Sequence, residues 1–309
     1  MSSQSRVIFT TLCLSVLCLV NGGVQPKRLV AYLSPPPVVV AQVPVAPLVR
    51  KKDDSKQAPE LHAQAALLVD EHSGSILYAQ NADTPLPPAS TTKLMTALVA
   101  REVYPEGTVL TVPAVGSIGG AKVGLTRGTQ YAVEQILEAA LIPSGNDAAY
   151  TLAANMPGGV PAFVEKMNAK ARELHLSTAE YRNPTGFDDP ELRMSVRDLS
   201  ILTREVLKDP FLKKVVSTQA TTISDITGKR AQTIITTNHL LGIDPRVIGV
   251  KTGTTEEAGQ VLVSAFASEG RVIVCIVMGS QDRYADTLAL VNWAEATFEW
   301  VPFDQTMVY

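Results

Sequence analysis

Two apolar runs, Val261 to Ala267 and Val272 to Met278, are joined by a short turn at Glu269-Gly270. A connection this short joins only antiparallel neighbours, because a parallel pair needs a crossover of about a dozen residues or more. The device recurs earlier in the chain, where Ala65 to Val69 and Ser75 to Ala79 read as strands flanking a turn over Asp70 to Gly74. Between the two hairpins the pattern becomes helical. Leu94, Met95, Leu98 and Val99 share one face of a helix that starts near Ser90. Helical patterns follow over Gln135 to Ile142, Asp147 to Asn155, Pro161 to Leu176 and Val196 to Leu207. Gly107 to Gly128 is glycine-rich and turn-prone, and Asn183-Pro184-Thr185-Gly186 is a turn signal. Val247 to Thr252 reads as a strand and Tyr284 to Trp300 as a closing amphipathic helix. Strands at both ends with helices between them predict an α+β fold, an antiparallel sheet covered by helices, and exclude a doubly wound parallel one.

The first segment reads as an address. Residues 7–20 form an apolar run of 14 after Arg6, which fits a signal-peptide core and is short of the roughly 20 residues of a membrane span. Residues 1–24 are therefore expected to be a signal peptide or an N-terminal anchor, with the body exported to the periplasm or the outer face of the cytoplasmic membrane. Any membrane contact is expected through this segment alone. Residues 25–60 are expected to be a linker, because Pro26, Pro35, Pro36, Pro37, Pro44, Pro47 and Pro59 favour extended backbone that builds no core. The domain proper is then 61–309. Hydrophobic residues are 46% of the chain and charged residues 18%, a globular balance that excludes general disorder. A net charge of −3 offers no basic face for nucleic acid. Of three cysteines, Cys13 and Cys18 fall in the leader, leaving Cys275 as a buried core residue in its apolar strand. That excludes a disulfide framework and a cysteine zinc site. His62, His72, His175 and His239 are scattered without an H-E-x-x-H, so neither metal nor cofactor is expected.

Three short motifs can carry chemistry. Ser90-Thr91-Thr92-Lys93 sits at a helix start, where residues three apart share a face and a hydroxyl can meet an amine. A serine needs an adjacent base to become a nucleophile, and a lysine serves if burial or a nearby cation lowers its pKa. Ser144-Gly145-Asn146 offers a hydroxyl and an amide on a tight turn. Lys251-Thr252-Gly253 sets a cation and a hydroxyl at a strand edge, where they suit a carboxylate ligand and the glycine admits a substrate backbone. Each alone is equally a helix cap, a turn, or an edge lysine. Together, in this order and each occurring once, they closely match the S-x-x-K, S-D-N and K-T-G set of β-lactamases and penicillin-binding proteins, with S-G-N here in place of S-D-N.

The chain thus resembles the low-molecular-mass penicillin-binding proteins, the serine D-alanyl-D-alanine carboxypeptidases of bacterial envelopes. The resemblance covers about residues 61–300 and includes Pro88 to Thr96, Leu141 to Ala148, Met167-Asn168, Asn183 to Gly186 and Arg197-Asp198-Leu199. It implies a β-lactamase/transpeptidase-like fold with a mostly helical subdomain inserted between the strands of an antiparallel sheet. It implies that Ser90 attacks the D-Ala-D-Ala bond of a peptidoglycan stem peptide and forms an acyl-enzyme, with Lys93 as base and Ser144 as proton relay. Asn146 would hold the peptide amide and orient Lys93. Lys251 and Thr252, with Gly253 and Arg283 beside them, would take the terminal carboxylate, and the amides of Ser90 and Thr254 would form the oxyanion hole. β-Lactams would be covalent inhibitors.

Three other readings compete. The compact end at Tyr309 resembles the D,D-endopeptidase branch, which cuts cross-links, whereas the S-G-N segment resembles the carboxypeptidases. A β-lactamase needs a further glutamate over the acyl carbonyl, and Glu165 reads as solvent-facing on its helix. A non-catalytic peptidoglycan-binding envelope protein has no use for both lysines and the nucleophile.

Overall fold

The computed structural model describes residues 48–52, 55–114, 118–268 and 270–301. β1 (Leu48–Lys51) comes first, followed by the hairpin of β2 (Ala65–Asp70) and β3 (Ile76–Gln80). A 3₁₀ turn, Ala89–Thr92, leads into α1 (Lys93–Val103). A ribbon of β4 (Val109–Thr111) and β5 (Gln130–Ala132) precedes α2 (Val133–Leu141), α3 (Asn146–Ala154) and α4 (Gly159–Glu173). Then come α5 (Val196–Lys208), α6 (Pro210–Val216) and a second ribbon, β6 (Ala220–Ser224) with β7 (Ala231–Ile235). β8 (Val247–Thr255), β9 (Gly259–Ser268) and β10 (Arg271–Ser280) return to the main sheet before α7 (Arg283–Thr297) and β11 (Phe298–Val301).

The main sheet has the order β3-β2-β10-β9-β8, with every pair antiparallel. Its middle strands are buried on both faces, and the period of two divides their side chains between two cores. Leu67, Val263 and Ile276 are cross-strand neighbours on the face that packs with Leu94, Leu199 and Leu202 of α1 and α5. Leu68 and Cys275 are neighbours on the other face, with Phe266, against Leu290, Val291 and Ala294 of α7. Cys275 is a core residue, and burial pushes its thiol up to about 12. Everything between β3 and β8 is inserted, so the α+β architecture is that expected from the order of strands and helices. β8 is left as an edge of the sheet.

Two boundaries need correction. The expected linker over 25–60 ends too late, because Leu48–Lys51 pairs antiparallel with Phe298–Val301. No proline falls between Pro47 and Pro59, so every residue there keeps an N–H. Lys52 and Lys56 donate from Nζ to the carbonyls of Glu295 and Ala296, in the last turn of α7, where carbonyls lack intrahelical partners. The same pairing ends the closing helix at Thr297 and puts Trp300 in a strand, where its Nε1 donates to Asp70 Oδ2 at 2.9 Å. The expected leader, 1–24, and the linker up to residue 47 lie outside the described residues. Among the described residues no helix is long and apolar enough to cross a membrane.

α6, β6 and β7 did not figure in the sequence expectation. α6 begins on Asp209, whose Oδ1 accepts from the amides of Phe211 and Leu212 while Oδ2 accepts from Arg101 Nε at 2.9 Å. Pro210 takes the first helical position, where a missing N–H costs nothing. Because α6 packs on β8, this cap supports the edge strand. Asp209→Ala is expected to lower stability by about 1–2 kcal/mol, the usual cost of losing an N-cap. It would be read as a lower urea midpoint with an unchanged slope, and an unchanged midpoint would contradict the cap's role.

Candidate active site

Ser90 and Lys93 meet across the 3₁₀ turn. Such a turn has three residues per revolution, so the two side chains eclipse each other. Lys93 Nζ lies 2.9 Å from Ser90 Oγ and donates to Thr185 O at 2.6 Å. Lys93 is fully buried, whereas Ser90 is partly exposed. Ala89, just before the nucleophile, has φ +47°, a conformation that L-residues seldom adopt.

The second pair has the same composition. Lys251 Nζ donates to Ser144 Oγ at 2.9 Å and to Thr252 O at 2.9 Å, and both side chains are buried. Ser144 has φ +66°, on the tight turn between α2 and α3. The structure thus brings Ser90, Lys93, Ser144 and Lys251 together as two serine–lysine pairs.

One expected contact is not made. Asn146 does not bond to Lys93. Its Nδ2 donates to Gly119 O at 2.7 Å, and its buried Oδ1 has no hydrogen-bond partner. The glycine-rich loop lies close against this amide, since a Cβ on Gly120 would fall 2.6 Å from Asn146 Nδ2. A Cβ on Gly253 would lie 2.9 Å from Ala89 Cβ and 3.1 Å from Ser90 N, so this glycine admits the nucleophile turn against β8. Thr252 is buried and Thr254 exposed on the same strand. Arg283 reaches both neighbours of that edge, its Nη1 donating to Gly253 O at 2.9 Å and Thr254 Oγ1 at 2.8 Å.

Residues that the motifs did not mark complete the site. Asn183 Oδ1 accepts from the amides of Thr185, Gly186 and Phe187, which fixes the turn that presents Thr185 O to Lys93. Gly186, at φ +80°, lies against this turn so closely that a Cβ would fall 1.8 Å from Ala89 O. The Asn-Pro-Thr-Gly signal located this turn without showing what it touches. Asp147 Oδ1 accepts from the amide of Val123 and Oδ2 from those of Gly124 and Leu125, tying the glycine-rich loop to α3. A cleft of about 240 Å³ opens at Ser90, lined also by Asn146, Gly186, Phe187 and Thr254. Glu165 is exposed on α4 and does not line it.

Electrostatics acts on both lysines. Burial, and then the charge of Lys251, hold Lys93 well below the usual lysine range, against a smaller opposing pull from Asp147. Burial and the nearby Arg283 bring Lys251 down to about 7. Both shifts favour the neutral amine, the form in which a lysine beside a serine can act as a base. A lysine with a depressed folded pKa binds fewer protons folded than unfolded, so its destabilising effect is full below the folded pKa and fades as pH rises towards the unfolded value. The gap in melting temperature between wild type and Lys251→Met is accordingly expected to change between about pH 7 and pH 10, wild type gaining on the variant as pH rises. Parallel melting curves across that range would contradict the depressed pKa.

Residues 52–282 match the Peptidase_S11 family, D-alanyl-D-alanine carboxypeptidase. The chain is 32% identical over 287 residues to the D-alanyl-D-alanine carboxypeptidase DacF of Bacillus subtilis, covering 89% of this chain and 73% of that protein. It is 33% identical over 247 residues to a D-alanyl-D-alanine endopeptidase of Pseudomonas aeruginosa, covering 76% and 78%. Against other curated carboxypeptidases it spans about two thirds of their length. The crystal structure of the Streptomyces K15 DD-transpeptidase aligns with a TM-score of 0.74 at 29% identity, over 78% of this chain and 99% of that one. With two serine–lysine pairs at one site and a family match over most of its length, the chain belongs to the D-alanyl-D-alanine carboxypeptidase family of serine peptidases, Peptidase_S11.

Proposed function

We propose that the protein is a serine D-alanyl-D-alanine carboxypeptidase that trims peptidoglycan stem peptides through an acyl-enzyme on Ser90. The observation that carries this reading is Lys93, buried, held well below the usual lysine range by burial and the charge of Lys251, and 2.9 Å from Ser90, the partly exposed serine of the two pairs. Neutral Lys93 takes the Ser90 proton as Oγ attacks the carbonyl carbon of the terminal peptide bond. The oxyanion forms against the amides of Ser90 and Thr254. The first of these lies in a helical first turn, where amides have no intrahelical partner. Ser144, backed by Lys251, relays the proton held by Lys93 to the nitrogen of the leaving D-alanine, so the C–N bond breaks and Lys93 is neutral again. Water, deprotonated by Lys93, then hydrolyses the ester and restores Ser90. Thr252 and Arg283 hold the terminal carboxylate, and the unpartnered Oδ1 of Asn146 accepts the peptide N–H.

A β-lactam presents the same carbonyl and carboxylate and leaves its acyl group on Ser90. The exported body, with a leader or anchor at 1–24, meets its polymeric substrate outside the cytoplasmic membrane. A second reading keeps the acyl-enzyme and changes the leaving group, as in the endopeptidase relative. One experiment addresses both readings. The purified chain is mixed with a penicillin and weighed intact, then supplied with a D-Ala-D-Ala pentapeptide and, separately, with a cross-linked muropeptide dimer. A single adduct that is absent in Ser90→Ala, with D-alanine released faster than dimer is cut, is the expected outcome. Faster dimer cleavage would favour the endopeptidase, and no adduct on folded protein would overturn the acyl-enzyme.

A further inference from the structure

Thr237 belongs to none of the three motifs, yet it is held into the site from three sides. It lies in the segment between β7 and β8 and is half-buried. Its N–H donates to Ile142 O at 3.2 Å, two residues before Ser144. Its carbonyl accepts from Tyr284 Oη at 3.2 Å. The Tyr284 ring in turn lies beneath the Arg283 guanidinium, 5.1 Å from the ring centre, and stacks on His239 at 5.4 Å. The backbone of Thr237 is thus pinned to the Ser144 turn and to the first turn of α7. Its hydroxyl oxygen lies 2.5 Å from Thr252 Oγ1.

Each hydroxyl has one proton and two lone pairs. Two hydroxyls in contact commit one proton to each other and leave one free. If Thr252 donated to Thr237, its proton would be used inside the protein and the substrate carboxylate would face lone pairs. If Thr237 donates to Thr252, the Thr252 proton is free for the anion. A hydroxyl that already accepts one hydrogen bond is also the stronger donor for the next, and a bond to a carboxylate is charge-assisted. We infer that Thr237 is a positioning residue that turns the Thr252 hydroxyl outward as a donor to the carboxylate of the substrate. The inference rests on the proposed reading in which Thr252 meets that carboxylate. It adds a specificity element to the site, since Thr237 matters only for ligands that carry the negative charge.

The test compares wild type, Thr237→Val, which keeps the shape and removes the hydroxyl, and Thr237→Ser, which restores it. Acylation rate constants are measured with a penicillin and with its methyl ester, and kcat and KM with a D-Ala-D-Ala peptide. Melting temperatures report whether each variant is folded, and Thr237→Ala takes the place of valine should that variant not fold. The expected result is a loss of about tenfold in kcat/KM for Thr237→Val, the worth of one hydrogen bond, carried by KM. Penicillin acylation falls by a similar factor, methyl-ester acylation stays unchanged, and serine recovers the wild-type values. Unchanged rates with the free acid, or equal losses with acid and ester, would overturn the positioning role and leave the acyl-enzyme intact. A wild-type protein that takes no penicillin adduct would instead overturn the reading beneath it.

Discussion

Two lysine side chains buried at one site are the constraint on which the rest of this structure depends. Lys93 and Lys251 are each held by one serine hydroxyl and one backbone carbonyl, neutral partners that stabilise a charge less than a carboxylate does. Burying such groups costs free energy, and the chain lowers that cost by letting Lys93 shed its proton. The same concession makes Lys93 a base. Destabilisation at the site and reactivity at Ser90 therefore have one origin. Both faces of the sheet are covered, and the inserted helices bury the back of the Ser90 turn.

Precision at the site comes from close backbone approach. Gly253 lets the nucleophile turn rest on the edge strand, and Gly186 lets the Asn183 turn rest on Ala89. Each of the two glycines stands where any side chain would separate parts that must touch. Arg283 and Asp147 then act as staples. One fixes the end of β8 through Gly253 and Thr254, and the other fixes the loop that meets Asn146. The polar groups of the site are thus mostly spent holding one another. Ser90 and the unpartnered acceptor of Asn146 are among the groups left for a substrate.

Much of this was legible in the sequence because it is local. Hairpins declare antiparallel pairing through turn length, and S-x-x-K declares a shared face through spacing. The three motifs met as expected once β8 became the sheet edge. What escaped was non-local. Nothing near Trp300 announces that residues about 250 positions earlier will pair with it and end the helix at Thr297. The role of Thr185 lies in a carbonyl, which every residue has, so no residue type could mark it. The contacts of Asn146 with Gly119 and of Gly253 with the Ala89 turn are non-local too, because the segments that make them are distant in the chain. α6 is different, since Asp209-Pro210 is a cap followed by a first-turn proline, a local signal that was available.

The central claim is that Lys93 is a neutral amine in the resting enzyme because it is buried beside Lys251. The most direct measurement is an NMR titration of the Lys93 side chain in the intact protein, with the resonance assigned through Lys93→Arg. The account predicts a midpoint well below that of the exposed lysines, and a rise towards the ordinary lysine range in Lys251→Met, where one of the two causes is removed. A Lys93 that titrates with the surface lysines, indifferent to Lys251, would contradict it.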